Sequence, residues 1–448
     1  MPTESQIIKL DAISESLNSG AMLKAKLILN GLHPAEIARL LESSPSRQRR
    51  LIWEMLDHKN DGEVLLEVGE EVRNNLMESM DDESLLAATK GLDVDDLADL
   101  LDELPETVVK QALKGMDYQY RTRLEGVMNY DEDTAGGLMN TDTITIRPDV
   151  TLDVVLKYLR LRKEMPQNTD NIIVVDRYNH YLGTLSVTAL LCADPEKTVS
   201  ESMDNDYISI NADTLANEVT NIFEDRDLVS APVVDKNNIL LGRITIDDVV
   251  DVIREESEHT VLNMAGLTDE EDIFAPVLPS TRRRAIWLGI NLLTALIASG
   301  VISLFQETIE QVVALAVLMP IVASMGGIAG SQTLTLVIRG IALGNISSTN
   351  SKSLLVKEIS IGLLNSLLWA CVIGVLSSYW FNNYLIGVVI GIAMIANLGF
   401  AALSGVLIPI MLKRIGVDPA LGGGVILTTI TDVIGFSSFL ALGTIFLL

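Results

Sequence analysis

Five long apolar stretches follow Arg284, and they constrain the fold more than any other feature of the sequence. A helix needs about 20 apolar residues to cross a hydrocarbon core of about 30 Å. We expect membrane spans at residues 285–305, 312–342, 359–381, 384–412 and 420–448. The protein is therefore predicted to be a multi-pass integral membrane protein of the cell membrane, with the lipid bilayer as one of its partners.

Basic residues predict how these spans are oriented. Those near the spans all fall on one side: Arg282, Arg283, Arg284, Arg339, Lys352, Lys357, Lys413 and Arg414. The opposite loops, QETIE and FNNY, contain no Lys or Arg. Since cytoplasmic loops are enriched in basic residues, we expect the part before the spans to be cytoplasmic and the C-terminus to lie outside. The first twenty residues lack the pattern of a cleavable signal peptide, which agrees with this expectation.

The net charge of −27 lies entirely in the part before the first span. Such an acidic region repels nucleic acid and attracts cations, so we expect no nucleic-acid partner and favour divalent metal ions. Two cysteines, Cys192 and Cys371, are too few and too far apart to suggest a thiolate metal site.

An all-helical domain is predicted for residues 1–136. Apolar residues recur there at helical spacing, interrupted by short turn signals. Two segments, HPAEIARLLESSPSRQRRLIWEML and LDVDDLADLLDELPETVVKQALKGM, each predict a helix, a break at proline and a second helix. We expect stacked helical hairpins that form a small superhelix, followed by a polar linker, YDEDTAGG.

An internal repeat follows this domain. MNTDTITIRPDVTLDVVLKYL resembles MDNDYISINADTLANEVTNIF, and NIIVVDRYNHYLGTLSVTALL resembles SAPVVDKNNILLGRITIDDVV. Each copy predicts strand, helix, two strands around a polar turn, and a last helix. The copies resemble tandem α/β CBS domains, at residues 137–200 and 201–256. A connecting helix is expected at residues 257–284.

The second span contains several residues that disfavour a regular helix. They are Pro320, Gly326, Gly327 and Gly330. We expect them to break helical hydrogen bonding, which a membrane tolerates only where the backbone is buried in protein or faces a water-filled cavity. Small residues also let helices pack closely, and for Gly330 alone we favour packing. Together with Ser331 and Gln332, the stretch predicts a pore lining.

Asp432 is the only acidic residue predicted deep within a span, and Thr428 lies one helical turn before it. A carboxylate at the centre of a membrane helix costs about 2.5–3.5 kcal/mol, and such residues usually mark an ion path. No Lys, Arg or His occurs in the middle of a span, so a transported cation is the expected partner. The alternative is a hydrogen bond to a neighbouring Ser or Thr.

The order of helical domain, CBS pair, connecting helix and five spans resembles the MgtE family of magnesium channels and transporters. NLLTALIASGVISLFQ, DPALGGG and TTITDVIGF also resemble the membrane domain of that family. The resemblance implies a homodimer with the pore along its two-fold axis, and it places the invariant aspartate of the last span at Asp432. Where the family usually has Gly-Gly-Asn, this chain has Ile328 after the two glycines, which puts ion selectivity in question.

Acidic residues cluster at two places before the spans. One set lies in the helical domain, at Asp93, Asp95, Asp96 and Asp99; the other begins on the last helix of the second CBS copy, at Asp247, Asp248, Asp251, Glu255, Glu256 and Glu258. Like charges at helical spacing cost about 0.2–0.5 kcal/mol per pair unless a cation screens them. A merely solvated surface is the alternative. The resemblance implies that cytosolic magnesium bridges the two sets and closes the pore.

Parts of the sequence are also compatible with functions other than a magnesium pathway. Gly242, Thr245 and Asp248 match a CBS nucleotide motif, so ATP is an alternative ligand. Cobalt, manganese or another divalent cation is an alternative substrate, and a non-conducting magnesium sensor is a further alternative. An intramembrane enzyme is disfavoured because the spans lack the residues for acid–base or metal chemistry.

Overall fold

The computed structural model describes residues 13, 21–57, 59–162, 165–166, 168–267, 272–347 and 349–448. The chain divides into two compact units. The first unit holds residues 1–257 with 270–275, and the second holds residues 258–269 with 276–448. Each unit is described by itself below.

Short helices build the N-terminal part of the first unit. Those described are α1 (Met22–Leu29), α2 (Pro34–Glu42), α3 (Ser46–Met55), α4 (Asp61–Glu67), α5 (Glu70–Met77), α6 (Asp82–Ala88), α7 (Val94–Asp102), α8 (Glu106–Gly115) and α9 (Tyr118–Val127). Pro45 and Pro105 stand immediately before α3 and α8, where the missing backbone N–H does no harm. The two helix pairs expected from the sequence are therefore confirmed.

The repeated segment forms two small sheets with the same topology. The first contains β1 (Thr145–Ile146), β2 (Asn171–Val175) and β3 (Tyr181–Ser186), with helices α10 (Leu152–Arg162), α11 (Val187–Cys192) and α12 (Val199–Ser202). The second contains β4 (Ile210–Asn211), β5 (Ser230–Val234) and β6 (Leu240–Thr245), with helix α13 (Ala216–Arg226). In both sheets the first pair of strands is parallel and the second is antiparallel. The predicted repeat is confirmed.

Matching turns join the two copies. Tyr181 N donates to Asn238 O at 2.9 Å, and Leu240 N donates to Asn179 O at 3.0 Å. The two asparagines occupy equivalent turns and have left-handed backbone, with φ of 69° and 62°. Asparagine tolerates this conformation better than most residues. The hydrogen bonds thus relate the copies by an approximate two-fold axis.

The helical domain and the second CBS copy share one apolar core. Leu97 and Leu101 of α7 belong to the same buried cluster as Val219 and Phe223 of α13. The segment YDEDTAGG, predicted as a linker, is docked on the second copy: Ala135 N donates to Thr214 O at 2.7 Å, and Gly136 N to Ala212 O at 2.9 Å. This docking fixes α7 against the second copy.

The last helix of the second copy does not end at the expected boundary. Helix α14 runs without interruption from Ile246 to Met264, and the next long helix, α15 (Val277–Ser303), begins before Arg282. The expected separate connecting helix at residues 257–284 is therefore replaced by two parts. Its beginning continues the CBS helix, and its end forms the first turns of a membrane helix.

The second unit contains the membrane helices. After α15 come α16 (Gln306–Gln311), α17 (Val313–Ala342), α18 (Ser351–Trp380), α19 (Tyr384–Arg414) and α20 (Pro419–Leu447). Among the described residues, five helices are long and apolar enough to cross a membrane: α15, α17, α18, α19 and α20. They correspond to the five predicted spans, although α15 and α18 begin several residues earlier because their polar first turns are helical too.

Helix α19 is the centre of the second unit. About 56% of its most apolar 18-residue stretch is buried, compared with 6% of the corresponding stretch of α15. It packs against α17, α18 and α20. Tyr379, Trp380 and Tyr384 are exposed near the turn from α18 to α19, and Tyr and Trp favour the surface of a bilayer.

The expected break in the second span is wrong. Helix α17 is continuous from Val313 to Ala342, with Pro320 inside it. Neighbouring helices can compensate for a missing helical hydrogen bond in a membrane, so proline need not end the helix. Gly330 has the packing role favoured from the sequence, because a Cβ atom there would lie 2.9 Å from Leu427 Cδ1.

Candidate functional site

Helices α17 and α20 line a cavity in the second unit. Its volume is about 770 Å³. The lining residues are Ala323, Ser324, Gly327, Ile328, Ser331, Gln332, Thr335, Thr428 and Asp432. A water molecule occupies about 30 Å³ in the liquid, so the cavity has room for a cation that keeps several of its waters.

Asp432 is the only charged residue among those that line this cavity. It is partly buried, and within the described part of the chain it has no hydrogen bond or ion pair. Thr428, on the same helix, donates its hydroxyl to Gly424 O and Val425 O, both at 3.1 Å. The lone pairs of Thr428 Oγ1 therefore remain able to accept a bond from a hydrated cation.

The α17 side of the cavity contains most of the residues predicted for it. Gly327, Ser331 and Gln332 line the cavity, whereas Gly326 does not. Gly326 is buried on another face of α17, against the side chain of Asn397. Ile328 lines the same wall and is 56% exposed, and it is the one large apolar side chain among the lining residues.

Sequence reasoning missed a second buried carboxylate, Glu358 on α18. It is only 5% exposed. Thr333 Oγ1 donates to its Oε2 at 3.4 Å, and Lys357 Nζ lies 3.5 Å from its Oε1. The third span was predicted to start at residue 359, which left Glu358 just outside it. The helical continuation of SKSLLVKEIS was the signal that could have included it.

A group of three carboxylates lies at the start of α7 in the first unit. Ligand oxygens of Asp93, Asp95 and Asp96 are all within 4.8 Å of one another, close enough to share one cation. Asp93 is the N-cap residue and the other two stand in the first turn, where the helix dipole favours negative charge. Asn140 Nδ2 donates to Asp95 Oδ1 at 3.2 Å and orients that carboxylate.

Asp247 and Asp248 stand in the first turn of α14. Thr245 donates its backbone N–H and its hydroxyl to Asp248 Oδ2, both at 3.0 Å. The same hydroxyl also bonds Asp247, and Asn168 Nδ2 donates to Asp247 Oδ2 at 2.8 Å. Both carboxylates are therefore held in place. Asp251, one turn later, lies 3.6 Å from Arg254 NH1.

The acids of α7 and α14 raise one another's pKa. Burial, followed by the charges of Asp248 and Asp96, raises the pKa of Asp95 to about 8. Burial, followed by Asp93, Asp247 and other acids, raises the pKa of Asp96 to about 6. Burial is also the main cause that raises the pKa of Asp248 to about 7, against the hydrogen bonds from Thr245. A cation bound here would offset this mutual repulsion and lower the pKa values of these carboxyl groups again. We call these five residues, Asp93, Asp95, Asp96, Asp247 and Asp248, the acidic cluster.

The other predicted regulatory acids lie elsewhere. Asp99 lies one turn farther along α7, where burial, followed by the nearby charge of Glu132, raises its pKa to about 7. Glu255, Glu256 and Glu258 are exposed farther along α14. The structure thus brings the first acids of α7 close to the first acids of α14. The later acids of α14 lie outside the acidic cluster.

The residues of the predicted nucleotide motif contact other parts of the protein. Thr245 bonds Asp248, as described above, and Asp248 is close enough to Asp95 to raise its pKa. A Cβ atom at Gly242 would lie 2.7 Å from Asn140 O, so the backbone there is covered by the segment that enters the first copy. These contacts connect the motif to the acidic cluster.

Three family models match consecutive parts of the chain. The MgtE intracellular N domain matches residues 32–133, the CBS domain matches residues 135–196 and 199–255, and the MgtE divalent cation transporter domain matches residues 319–442. The chain belongs to the MgtE family. The transporter match includes most of each of the two cavity-lining helices of this MgtE protein.

Curated relatives cover nearly the whole MgtE chain. The magnesium transporter MgtE of Thermus thermophilus is 29% identical over 441 residues, which is 97% of this chain and 98% of the relative. The magnesium transporter MgtE of Bacillus subtilis is 27% identical over 431 residues, or 96% of each chain. A crystal structure of the cytosolic domain of the Mg²⁺ channel MgtE in complex with ATP is 28% identical, with a TM-score of 0.49; the match covers 54% of this chain and 99% of that one.

Proposed function

We propose that this MgtE protein transports magnesium across the membrane and that Asp432 is its principal ion ligand. The observation that carries the proposal is the cavity of about 770 Å³ in which Asp432 is the only charged lining residue. The curated relatives from Thermus thermophilus and Bacillus subtilis are magnesium transporters. Magnesium retains several waters and is usually held by one or two carboxylates, which suits this wall.

A homodimer would complete the ion site. One chain supplies a single carboxylate to the cavity, and a two-fold axis beside it would supply a second copy of Asp432. The polar side chains of Ser331 and Gln332 would then orient water around the ion. We place the first unit and its acidic cluster in the cytoplasm and the C-terminus outside, on the basis of the basic residues beside the spans.

Another divalent cation is the second candidate substrate. Ile328 favours it, because an apolar side chain on the cavity wall offers no ligand to the waters of magnesium. Cobalt and manganese are the alternatives to test. A non-conducting sensor would keep the acidic cluster but would not need Asp432.

The experiment compares uptake by the parent with uptake by Asp432→Ala and Asp432→Asn in a host that depends on supplied magnesium. We expect both variants to insert and to lose flux. Glu307→Gln, which removes an exposed acid outside the cavity, is the matched control and should conduct normally. Normal flux through a folded Asp432→Ala protein would exclude the proposed ligand, and flux of cobalt or manganese in preference to magnesium would change the substrate.

Regulation by cytosolic magnesium is the second part of the proposal. Magnesium would replace the protons of the acidic cluster and hold α7 against the start of α14. Helix α14 continues into the second unit, where Asn263 Nδ2 donates to Asp418 Oδ2 at 2.8 Å. Asp418 caps α20, the helix that bears Asp432. Helix α14 therefore carries acids of the acidic cluster at its start and, near its end, the residue that bonds the N-cap of α20, which supports a closing role for bound magnesium.

The regulatory proposal is tested by neutralising three acids on α14: Asp247→Asn, Asp251→Asn and Glu255→Gln. We expect weaker inhibition of flux by cytosolic magnesium. The matched control removes three exposed acids of α13, with Glu218→Gln, Glu224→Gln and Asp225→Asn. If both triple variants keep the inhibition curve of the parent, the α14 acids are only a solvated surface.

Nucleotide binding at Gly242, Thr245 and Asp248 stays a prediction. The contact of this motif with the acidic cluster implies that ATP and magnesium would influence each other there. Titration of the purified full-length protein with ATP, with and without magnesium, measures that coupling.

A further inference from the structure

A buried amide, Asn397 on α19, stands directly behind the cavity. Its side chain is fully buried. Asn397 Nδ2 donates to Val322 O on α17 at 2.8 Å, although the two residues are 75 positions apart in the chain. Asn397 does not line the cavity. Any influence it has on ions must therefore act through the helices that it contacts.

Two glycines, one on each cavity-lining helix, make room for this amide. A Cβ atom at Gly326 of α17 would overlap Asn397 Nδ2, and one at Gly435 of α20 would lie 2.8 Å from the same atom. Both distances are too short for a real side chain. The carboxamide thus sits between α17 and α20 and sets how closely they approach at this level.

The oxygen of the amide indicates that Asn397 has a role besides packing. Asn397 Oδ1 is buried and has no hydrogen-bond partner among the described residues. A buried acceptor without a partner is unfavourable, and leucine would fill a similar volume without that penalty. What asparagine supplies and leucine cannot is the directed bond to Val322 O.

The residues that Asn397 contacts adjoin the residues that face the ion. Val322 precedes Ala323, and Gly326 precedes Gly327, both of which line the cavity. Gly435 follows Asp432 by three residues, a rise of about 4.5 Å along a helix. A shift of α17 or α20 at Asn397 would change the width of the cavity beside Asp432.

We propose that Asn397 is a positioning residue that fixes the spacing of α17 and α20 and thereby sets the selectivity of the cavity among divalent cations. This inference rests on the proposed transport function, but it concerns selectivity rather than the presence of flux. Magnesium demands near-ideal octahedral geometry, whereas larger divalent cations accept longer and less regular coordination, so the width and rigidity of a site decide between them. Selectivity between ions of slightly different radius is therefore the sensitive readout.

The test measures uptake of magnesium and its competition by manganese and calcium in the full-length protein. Asn397→Leu removes the hydrogen bond at similar volume, and Asn397→Ala removes both bond and volume. We expect each to change the ratio of magnesium to larger-ion uptake by up to about tenfold, which corresponds to the loss of one hydrogen bond. Ser377→Ala, which removes a buried hydroxyl of α18 away from the cavity, is the control and should keep the parent ratio.

A paired substitution separates positioning from general damage. Gly326→Ala alone should disturb selectivity because its methyl group meets the amide. The double variant Gly326→Ala/Asn397→Ala should lie closer to the parent ratio, by about threefold or more, than the sum of the two single effects predicts, because the methyl group then occupies space that the amide has left. Unchanged ratios in the folded Asn397 variants, or additive effects in the pair, would overturn the inference. Failure of both Asn397 variants to insert would also overturn it, because Asn397 would then be a folding residue. Absence of flux in the parent would instead refute the proposed function.

Discussion

If magnesium regulates the protein at the acidic cluster as proposed, the raised pKa of Asp95 predicts that protons compete with it there. The pKa of Asp95 is about 8 where α7 meets the second CBS copy, whereas an exposed aspartate titrates near 4. The docked state therefore binds a proton that the separated state releases. Its contribution to docking is fully present below about pH 4 and is lost as the pH rises through about 8.

The size of the effect follows from the two pKa values. Between pH 8.5 and 6.5, Asp95 alone should favour docking by roughly 25-fold, or about 2 kcal/mol. Burial also raises the pKa of Asp248, which acts in the same direction. We therefore expect α7 of the magnesium-free protein to be docked on the second CBS copy in a larger fraction of molecules at pH 6.5 than at pH 8.5. Saturating magnesium should remove most of this difference, because the cation then occupies the place of the protons.

Protease cleavage of residues 129–136 in full-length protein measures docking, since Ala135 and Gly136 are hydrogen-bonded to the second copy when α7 is docked. The assay is run in chelator at each pH, with cleavage of a free peptide of the same sequence as the standard. Asp95→Asn mimics the protonated acid. It should therefore abolish the roughly 25-fold change in docking that Asp95 causes between pH 8.5 and pH 6.5. Asp82→Asn, an exposed acid of α6, is the control. A parent response below about threefold, or an unchanged response in Asp95→Asn, would refute the reasoning.

Three further predictions concern other parts of the molecule. Ile328→Asn adds an amide to the cavity wall and should change the competition between magnesium and larger divalents in uptake assays; identical profiles would place residue 328 outside the selective path. Arg49 forms a buried ion pair with Asp272 at 2.7 Å. Arg49→Met alone should therefore lower the free energy of unfolding by about 3–5 kcal/mol, because it leaves a buried charge unpaired, whereas Arg49→Met/Asp272→Leu should lower it less. Equal melting temperatures for the single and double variants would contradict this. Glu358→Gln, which can still accept from Thr333, should conduct better than Glu358→Ala, and equal uptake would make the Thr333 bond irrelevant.

The membrane helices were predictable because lipid allows few solutions. A backbone that crosses a bilayer must satisfy its own hydrogen bonds, so long apolar stretches become helices whatever their neighbours are. The same reasoning failed at Pro320, because whether a proline breaks a membrane helix depends on neighbouring helices that the sequence does not identify. Asn397 was missed for a related reason. Its role depends on two glycines that lie on different helices.

In the first unit, local sequence patterns predicted some elements and missed others. The two CBS copies were predictable because each repeats the same strand and turn pattern. The end of α14 was not, because residues 246–264 contain no Gly or Pro that would stop a helix; the first left-handed glycine there is Gly266, with φ of 72°. The two acidic sets were also predicted, but their pairing depends on the docking of YDEDTAGG, whose composition resembles that of a mobile linker.

The acidic cluster and the apolar core beside it together explain how docking can respond to ions. Burial of Leu97, Val219 and their neighbours in one core favours the docked state. The raised pKa of Asp95 shows that the adjoining carboxylates oppose it. Because the two contributions have opposite sign, the net preference for docking is smaller than the apolar contribution alone. A cation that binds only the docked arrangement can then shift the equilibrium by the full difference in its affinity for the two states. A larger apolar surface would keep α7 docked without magnesium, and fewer acids would leave nothing for magnesium to neutralise.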